Sequence, residues 1–219
     1  FDLESHRDFV PTNWGNTTSI ALQYQIPDIL SDTVYYRDVL GHCETKHNDD
    51  ENRNTNLRLV CEILDGYIVN PGEEFSYNGV VGERTKERGF KPATAYSGTR
   101  VIKDFGGGVC QGSSTIYLAA LRANLEIVER YNHRFYPGYI TLGMDATVSW
   151  GGPEFRFKNN TNYPIKLVTE SYDKNGKRYL TAKIYGTNED GRYAKPERVQ
   201  FDWEEPTTTY VADESIPQG

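Results

Sequence analysis

Long hydrophobic runs are missing from this chain of 219 residues. No apolar stretch approaches the ~18–20 residues that cross a bilayer, so no membrane-spanning helix is expected. Positive charge is in short supply: 24 Lys and Arg stand against 31 Asp and Glu, for a net charge of −7. With no basic cluster, nucleic acid is disfavoured as a partner. Cysteine is limited to Cys43, Cys61 and Cys110. The odd count leaves at least one free thiol unless chains pair. A Cys43–Cys61 disulfide is allowed by the count, although a buried, inert Cys61 on the apolar face of a helix is the default. His42, Cys43 and His47 lack a recognised zinc spacing, and in a strand His42 and Cys43 would point to opposite faces. No metal or other cofactor is expected, and no internal repeat is visible.

What is present describes a polar, globular chain. Hydrophobic residues make up 37% and charged residues 25%, which suits one large domain or a domain with appendages. Tyrosine is abundant, with 16 residues, as half-exposed β-sheet faces or a groove for a polar polymer would require. The chain begins at Phe1 and not Met, which predicts a fragment or processed form whose upstream part holds any signal or membrane anchor.

Residues 1–34 form an N-terminal segment of few patterns, with a short turn or helix at 28–32. A strand is expected over 34–40, an exposed polar loop over 46–54 and a helix over 56–64 that stops at Asp65-Gly66. Asn70-Pro71-Gly72 reads as a turn, 75–77 as a short strand, and 82–89 as a charged loop or short helix. Residues 96–102 read as a hairpin arm. Beyond Asp145 the pattern is β: Phe155 and Phe157 alternate with polar neighbours, and 165–168 and 179–185 flank the hairpin signal Asp173-Lys174-Asn175-Gly176. Residues 188–219 read as an extended linker. The sum is an α+β fold, with a Cys-bearing helix packed on a mostly antiparallel sheet.

The most informative stretch is Gly106-Gly107-Gly108-Val109-Cys110-Gln111-Gly112-Ser113-Ser114-Thr115. Apolar residues follow at helical spacing: Ile116, Tyr117, Ala120, Leu121 and Leu125. Ser113 and Ser114 stand where helix caps are usual. Cys110 then lies at or just before a helix N-terminus, whose partial positive charge favours the thiolate. The glycines permit φ > 0 and leave backbone N–H groups uncovered, so Gly107 and Gly108 are candidates for an oxyanion hole. A tight turn followed by a helix with an ordinary buried Cys fits the same residues.

His133 and Asp145 follow downstream. A thiol nucleophile needs a base, and the base needs a group that orients it. With strands expected at 125–128 and 139–142, the three residues resemble the site layout of papain-like enzymes. Gln111, Ser113, Ser114, Arg134 and Tyr136 lie beside them in sequence and are candidates for substrate binding. Asp145 also fits a turn cap.

Three separated motifs occur in order: Asn70-Pro71-Gly72-Glu73-Glu74-Phe75-Ser76-Tyr77-Asn78, then Gly106-Gly107-Gly108-Val109-Cys110-Gln111, then Gly143-Met144-Asp145-Ala146-Thr147-Val148. Together they resemble the VanW domain over roughly residues 35–170, and a catalytic domain is placed at 35–187. The ending 210–219 looks like the lead-in to a small β module that often follows such domains. The resemblance implies an extracytoplasmic cell-wall protein of Gram-positive type and, as for some members, L,D-transpeptidase activity with the motif Cys as nucleophile. The Ser-His-Gly-Cys run of YkuD-type transpeptidases is absent. Stem peptides of peptidoglycan are the implied partners, a donor tetrapeptide and an acceptor amine. A stem-peptide carboxypeptidase or endopeptidase, and a non-catalytic wall-binding module, remain the alternatives.

Overall fold

The computed structural model describes residues 35–48, 50–97 and 100–200; the expectations for 1–34 and for 201–219 lie outside them. Nine strands and three helices follow one another in this part of the chain. A four-stranded sheet carries the fold, in the order β1 (Asp38–His47), β9 (Lys177–Gly186), β8 (Ile165–Lys174), β2 (Tyr67–Val69). All its pairings are antiparallel. The β8–β9 hairpin closes at Asn175-Gly176, both at positive φ of 52° and 69°, as a two-residue primed turn requires.

One face of this sheet is apolar by simple alternation. Cys43, Thr45 and His47 of β1 are buried while His42, Glu44 and Lys46 face out. Cys43 and Cys61 are both free and buried, so the allowed disulfide does not form. Against the inner face lie α1 (Glu51–Leu64) and α3 (Cys110–Arg122). Helix α1 starts earlier than its apolar spacing suggests, because Asp50 accepts from the Arg53 N–H as N-cap. The polar run 46–54 is therefore a strand end and a helix start, and little of it is loop. Gly41 brings β1 against α3: a Cβ there would lie 2.2 Å from the Ala119 carbonyl oxygen.

The second sheet is small, in the order β3 (Glu74–Ser76), β7 (Arg156–Lys158), β6 (Glu126–Glu129). It contributes Phe75 and Phe157, stacked at 4.8 Å, with Phe155 packed edge-on. Each is fully buried, worth roughly 1.5–3 kcal/mol per side chain. A third pair, β4 (Pro92–Ser97) and β5 (Arg100–Phe105), forms the expected hairpin. Short α2 (Tyr77–Val81) follows β3 directly, capped by Ser76, whose hydroxyl accepts from Gly79.

From Arg130 to Phe155 the chain forms no strand or helix. The stretch 139–142, expected as a strand for its β-forming residues, pairs with nothing. Side chains hold this strap in place of a backbone ladder. Asn78 donates to the Ser149 and Pro153 carbonyls, and Glu154 accepts from the Ser76 hydroxyl and the Asn78 N–H. The Asn70–Asn78 motif thus closes its own turn, through Glu73 accepting from Asn70, and anchors the strap. Among the described residues no helix is long and apolar enough to cross a membrane.

Candidate functional site

The floor of the site is the loop 106–109 and the first turn of α3. The helix begins at Cys110, with Val109 as an N-cap that offers no side-chain bond. Ser113 and Ser114 are not caps. Both are fully buried inside the helix, and both hydroxyls donate to the Ala146 carbonyl, at 2.7 and 3.2 Å. Ser114 accepts in return from the Ala146 N–H at 3.0 Å. They clamp the strap to the helix next to Asp145.

Under the helix, fully buried Tyr77 donates to the Val109 carbonyl at 2.9 Å. Gly112 leaves room for it, since a Cβ there would lie 2.8 Å from the Tyr77 hydroxyl. Gln111 is also fully buried. Its amide nitrogen donates to Thr45 and to the Lys46 carbonyl, and its oxygen accepts from Arg53 at 2.8 Å. Gln111, expected to contact substrate, thus bonds Arg53 and ties the helix to β1.

The strap brings His133 and Asp145 to the helix start. His133 Nδ1 lies 2.7 Å from Asp145 Oδ2, which also accepts from the His133 backbone N–H at 2.7 Å. The other carboxylate oxygen accepts from Arg130 at 3.0 Å. Asp145 is 3% exposed, and this buried charge is fully paired. With Nδ1 committed to Asp145, the other ring nitrogen, Nε2, is left for the thiol, and His133 acts on the Cys110 sulfur electrostatically. The sulfur also lies 3.3 Å from the Val148 carbonyl, 3.5 Å from the Val148 N–H and 3.7 Å from the Thr147 hydroxyl.

Electrostatics follow from these contacts. Burial pushes the Cys110 thiol up, but His133, the Val148 N–H and Thr147 outweigh it and hold the thiol below its usual value. Burial pulls His133 down, yet its bonds to Asp145 and Cys110 raise it to about 9. Burial raises Asp145, and the His133 ring, its backbone N–H and Arg130 bring it to about 2. The three groups favour a thiolate–imidazolium pair backed by a carboxylate.

A cleft of ≈ 860 Å³ opens over Cys110 and His133, walled by Arg53, Arg84, Tyr96, Tyr139 and Trp150. Gly107 and Gly108 lie on its edge. The Gly107 N–H, expected as an oxyanion donor, instead donates to the Asp104 carbonyl at 3.0 Å. A Cβ on Gly107 would lie 2.3 Å from the Ala93 carbonyl oxygen, which makes it a packing glycine. Gly108 has φ +97° and precedes the helix start, where the first N–H groups lack intrahelical partners. Arg134 and Tyr136, expected to bind substrate, are exposed and are not among the residues that wall the cleft.

Arg53, Arg84 and Arg130 escaped sequence reading. The first two sit in stretches that read as solvated charge. The glycines were their signal, because a Cβ on Gly106 would meet Arg84 at 2.6 Å and one on Gly108 would meet Arg53 at 2.7 Å. Among the described residues no group of three or more His, Cys, Asp or Glu is placed to hold a metal ion.

Comparison with known proteins agrees with the order of the motifs. The chain is 43% identical over 134 residues to the uncharacterized protein YoaR of Bacillus subtilis, covering 61% of this chain and 44% of that protein. It is 29% identical over 122 residues to the vancomycin B-type resistance protein VanW of Enterococcus faecalis, covering 53% of this chain and 44% of that protein. The matched part thus spans less than half the length of either relative. No solved structure matches. The profile of the VanW like protein family matches residues 52–185, more than half of the sequence and all of the site just described, and the chain belongs to the VanW family.

Proposed function

We propose that this chain is a cysteine acyltransferase of the cell wall, a peptidoglycan L,D-transpeptidase that forms 3–3 cross-links outside the cytoplasm. The observation that carries the reading is the buried Asp145 carboxylate bonded at 2.7 Å to the His133 imidazole, beside a Cys110 thiol that His133 helps to hold below its usual value. A structural cysteine has no need of a base held by a buried carboxylate. Family membership, with one relative named for vancomycin resistance, directs the chemistry to the cell wall. The cell-wall substrate and the outer location rest on that kinship.

The Cys110 thiolate attacks the carbonyl of the third residue of a donor stem tetrapeptide. The Gly108 and Cys110 N–H groups are the proposed oxyanion donors, each worth about 3–4 kcal/mol in the transition state. Imidazolium His133 gives its proton to the leaving D-Ala amine, and a thioester remains. The side-chain amine of an acceptor stem then attacks. His133 takes its proton, the new amide forms and the thiolate is released. Asp145 keeps the imidazole in one tautomer and stabilises its charged form throughout.

The test is incubation with purified disaccharide-tetrapeptide, wild type beside Cys110→Ala, followed by muropeptide analysis. Cross-linked dimer from the wild type alone supports the reading. Tripeptide without dimer would make water the acceptor and the chain a carboxypeptidase. Unchanged tetrapeptide from wild type would leave a binding module.

A further inference from the structure

Arg84 follows α2 on the loop that leads to β4, and it is 9% exposed. None of its three guanidinium nitrogens has a hydrogen-bond partner among the described residues, although all are shielded from water. The Tyr77 ring lies beside it, 5.6 Å from the guanidinium carbon. The nearby Glu154 carboxylate is already occupied by Ser76, Asn78 and the Phe155 N–H. A buried charge with unmet donors is costly, by several kcal/mol for an ion of this kind, so its retention calls for an acceptor that the described residues do not supply.

Position says where that acceptor comes from. Arg84 lines the same cleft as Cys110 and His133, and its charge acts on the Cys110 sulfur. The chain makes room for it, because Gly106 has φ +76° and a Cβ there would strike the Arg84 stem at 2.6 Å. Arg53, across the glycine loop, gives the contrast. It donates to Gln111 and lies over the Tyr139 ring at 5.9 Å. Of the two arginines that flank the loop, one serves the protein and the other keeps its fork unused. A planar fork of N–H donors matches a carboxylate.

We propose that Arg84 binds the free α-carboxylate of the residue that leaves, so that the site selects acyl donors whose scissile bond is followed by a single C-terminal residue. This rests on the acyl-transfer reading for the identity of the leaving residue. An amidated or extended terminus would bring no charge to Arg84 and would be a poor donor.

Cys110 itself supplies a probe. Its thiolate displaces iodide from iodoacetate or iodoacetamide and forms a thioether in either case. The ratio of the two rates cancels the thiolate fraction and reports only preference for the carboxylate. Arg84→Met is expected to lower the iodoacetate-to-iodoacetamide ratio about tenfold, as loss of a charged hydrogen bond implies. Arg84→Lys, which keeps charge but loses the fork, is expected to recover only part of it. N-acetyl-D-alanine should raise the melting temperature of the wild type and its amide should not, and Arg84→Met should abolish the difference. A cooperatively melting Arg84→Met with an unchanged ratio overturns the assignment. If that variant does not fold, equal melting shifts from the acid and the amide in wild type overturn it instead. A Cys110 inert to iodoacetamide would sink the acyl-transfer reading alone, and the melting shifts would still decide Arg84.

Discussion

Cys61 and Cys110 lie on neighbouring helices of one core, and burial acts on both thiols in the same direction. The results are opposite. Burial pushes Cys61 up to about 12, with Asp65 adding to the effect, and pushes Cys43 on β1 up to about 11. Cys110 is held below its usual value although burial opposes this too. Exposure does not make the difference. Each sulfur has a hydroxyl beside it, Thr169 at Cys61 and Thr147 at Cys110, but the region around Cys61 adds Leu57, Leu180 and a carboxylate, whereas the region around Cys110 adds an imidazole and a backbone N–H. A sulfur becomes a nucleophile through the donors aimed at it.

The comparison breaks first at the sulfur. Cys110→Ala should abolish turnover on disaccharide-tetrapeptide and still melt cooperatively; full activity in the variant would remove Cys110 from the chemistry. His133→Ala comes next. A loss of about 10³-fold is expected, within the range for a general acid–base group. Alkylation of Cys110 should move to higher pH, toward the behaviour of Cys43 and Cys61. An unchanged pH–alkylation curve would mean that His133 does not set the thiol. Asp145→Asn should cost about 10²-fold in rate, since it only orients and charges the imidazole, while Cys110 remains alkylatable. A rate equal to wild type would reduce Asp145 to an anchor for Arg130 and the strap.

Differential labelling sharpens the same contrast. Iodoacetamide at pH 6.5 should mark Cys110 and spare Cys43 and Cys61 until the chain is denatured, read by peptide mass. The smallest effect is on stability. His133 sits at about 9 in the folded chain, above its unfolded value, so its contribution is complete below about pH 6.5 and fades as pH rises through the folded value. The lowered Cys110 works the other way, gaining as pH rises. In Cys110→Ala that opposition is gone, and the upper edge drops below 9 with the thiolate. The melting temperature of Cys110→Ala should therefore fall between pH 6.5 and 9 by a few degrees, on the order of 1 kcal/mol. Cys110→Ala with His133→Ala should show a flatter profile.

The core of the site could be read from the sequence because Cys110, His133 and Asp145 are close along the chain and carry three distinct chemistries. The β8–β9 hairpin was legible for a similar reason, since Asn175-Gly176 encodes its turn locally. Arg53 and Arg84 were hidden because nothing local separates a buried arginine from a solvated one; only packing against Gly108 and Gly106 does. Ser113 and Ser114 misled because serine favours helix caps, while here their hydroxyls are spent on Ala146. The 139–142 stretch misled because β-forming residues make a strand only with a partner strand, and the strap has none.

The contact at Gly41 has a mechanical consequence. Helix α3 is a stiff beam, and β1 presses on it where a single added methyl would collide with the Ala119 carbonyl and the Ala123 N–H, at 2.2 and 2.6 Å. Ala119 lies roughly 13 Å along the axis from Cys110 at about 1.5 Å per residue. The beam's other end is pinned by Thr45 to Thr115 at 2.8 Å and by Gln111 to the same strand. Strand β1 therefore holds this helix at both ends, by close packing at Gly41 and by hydrogen bonds at Thr115 and Gln111 beside Cys110. Misplacement by about 1 Å can cost 10²-fold in rate. Gly41, which is not among the residues that wall the cleft, thus helps to set where the Cys110 sulfur lies.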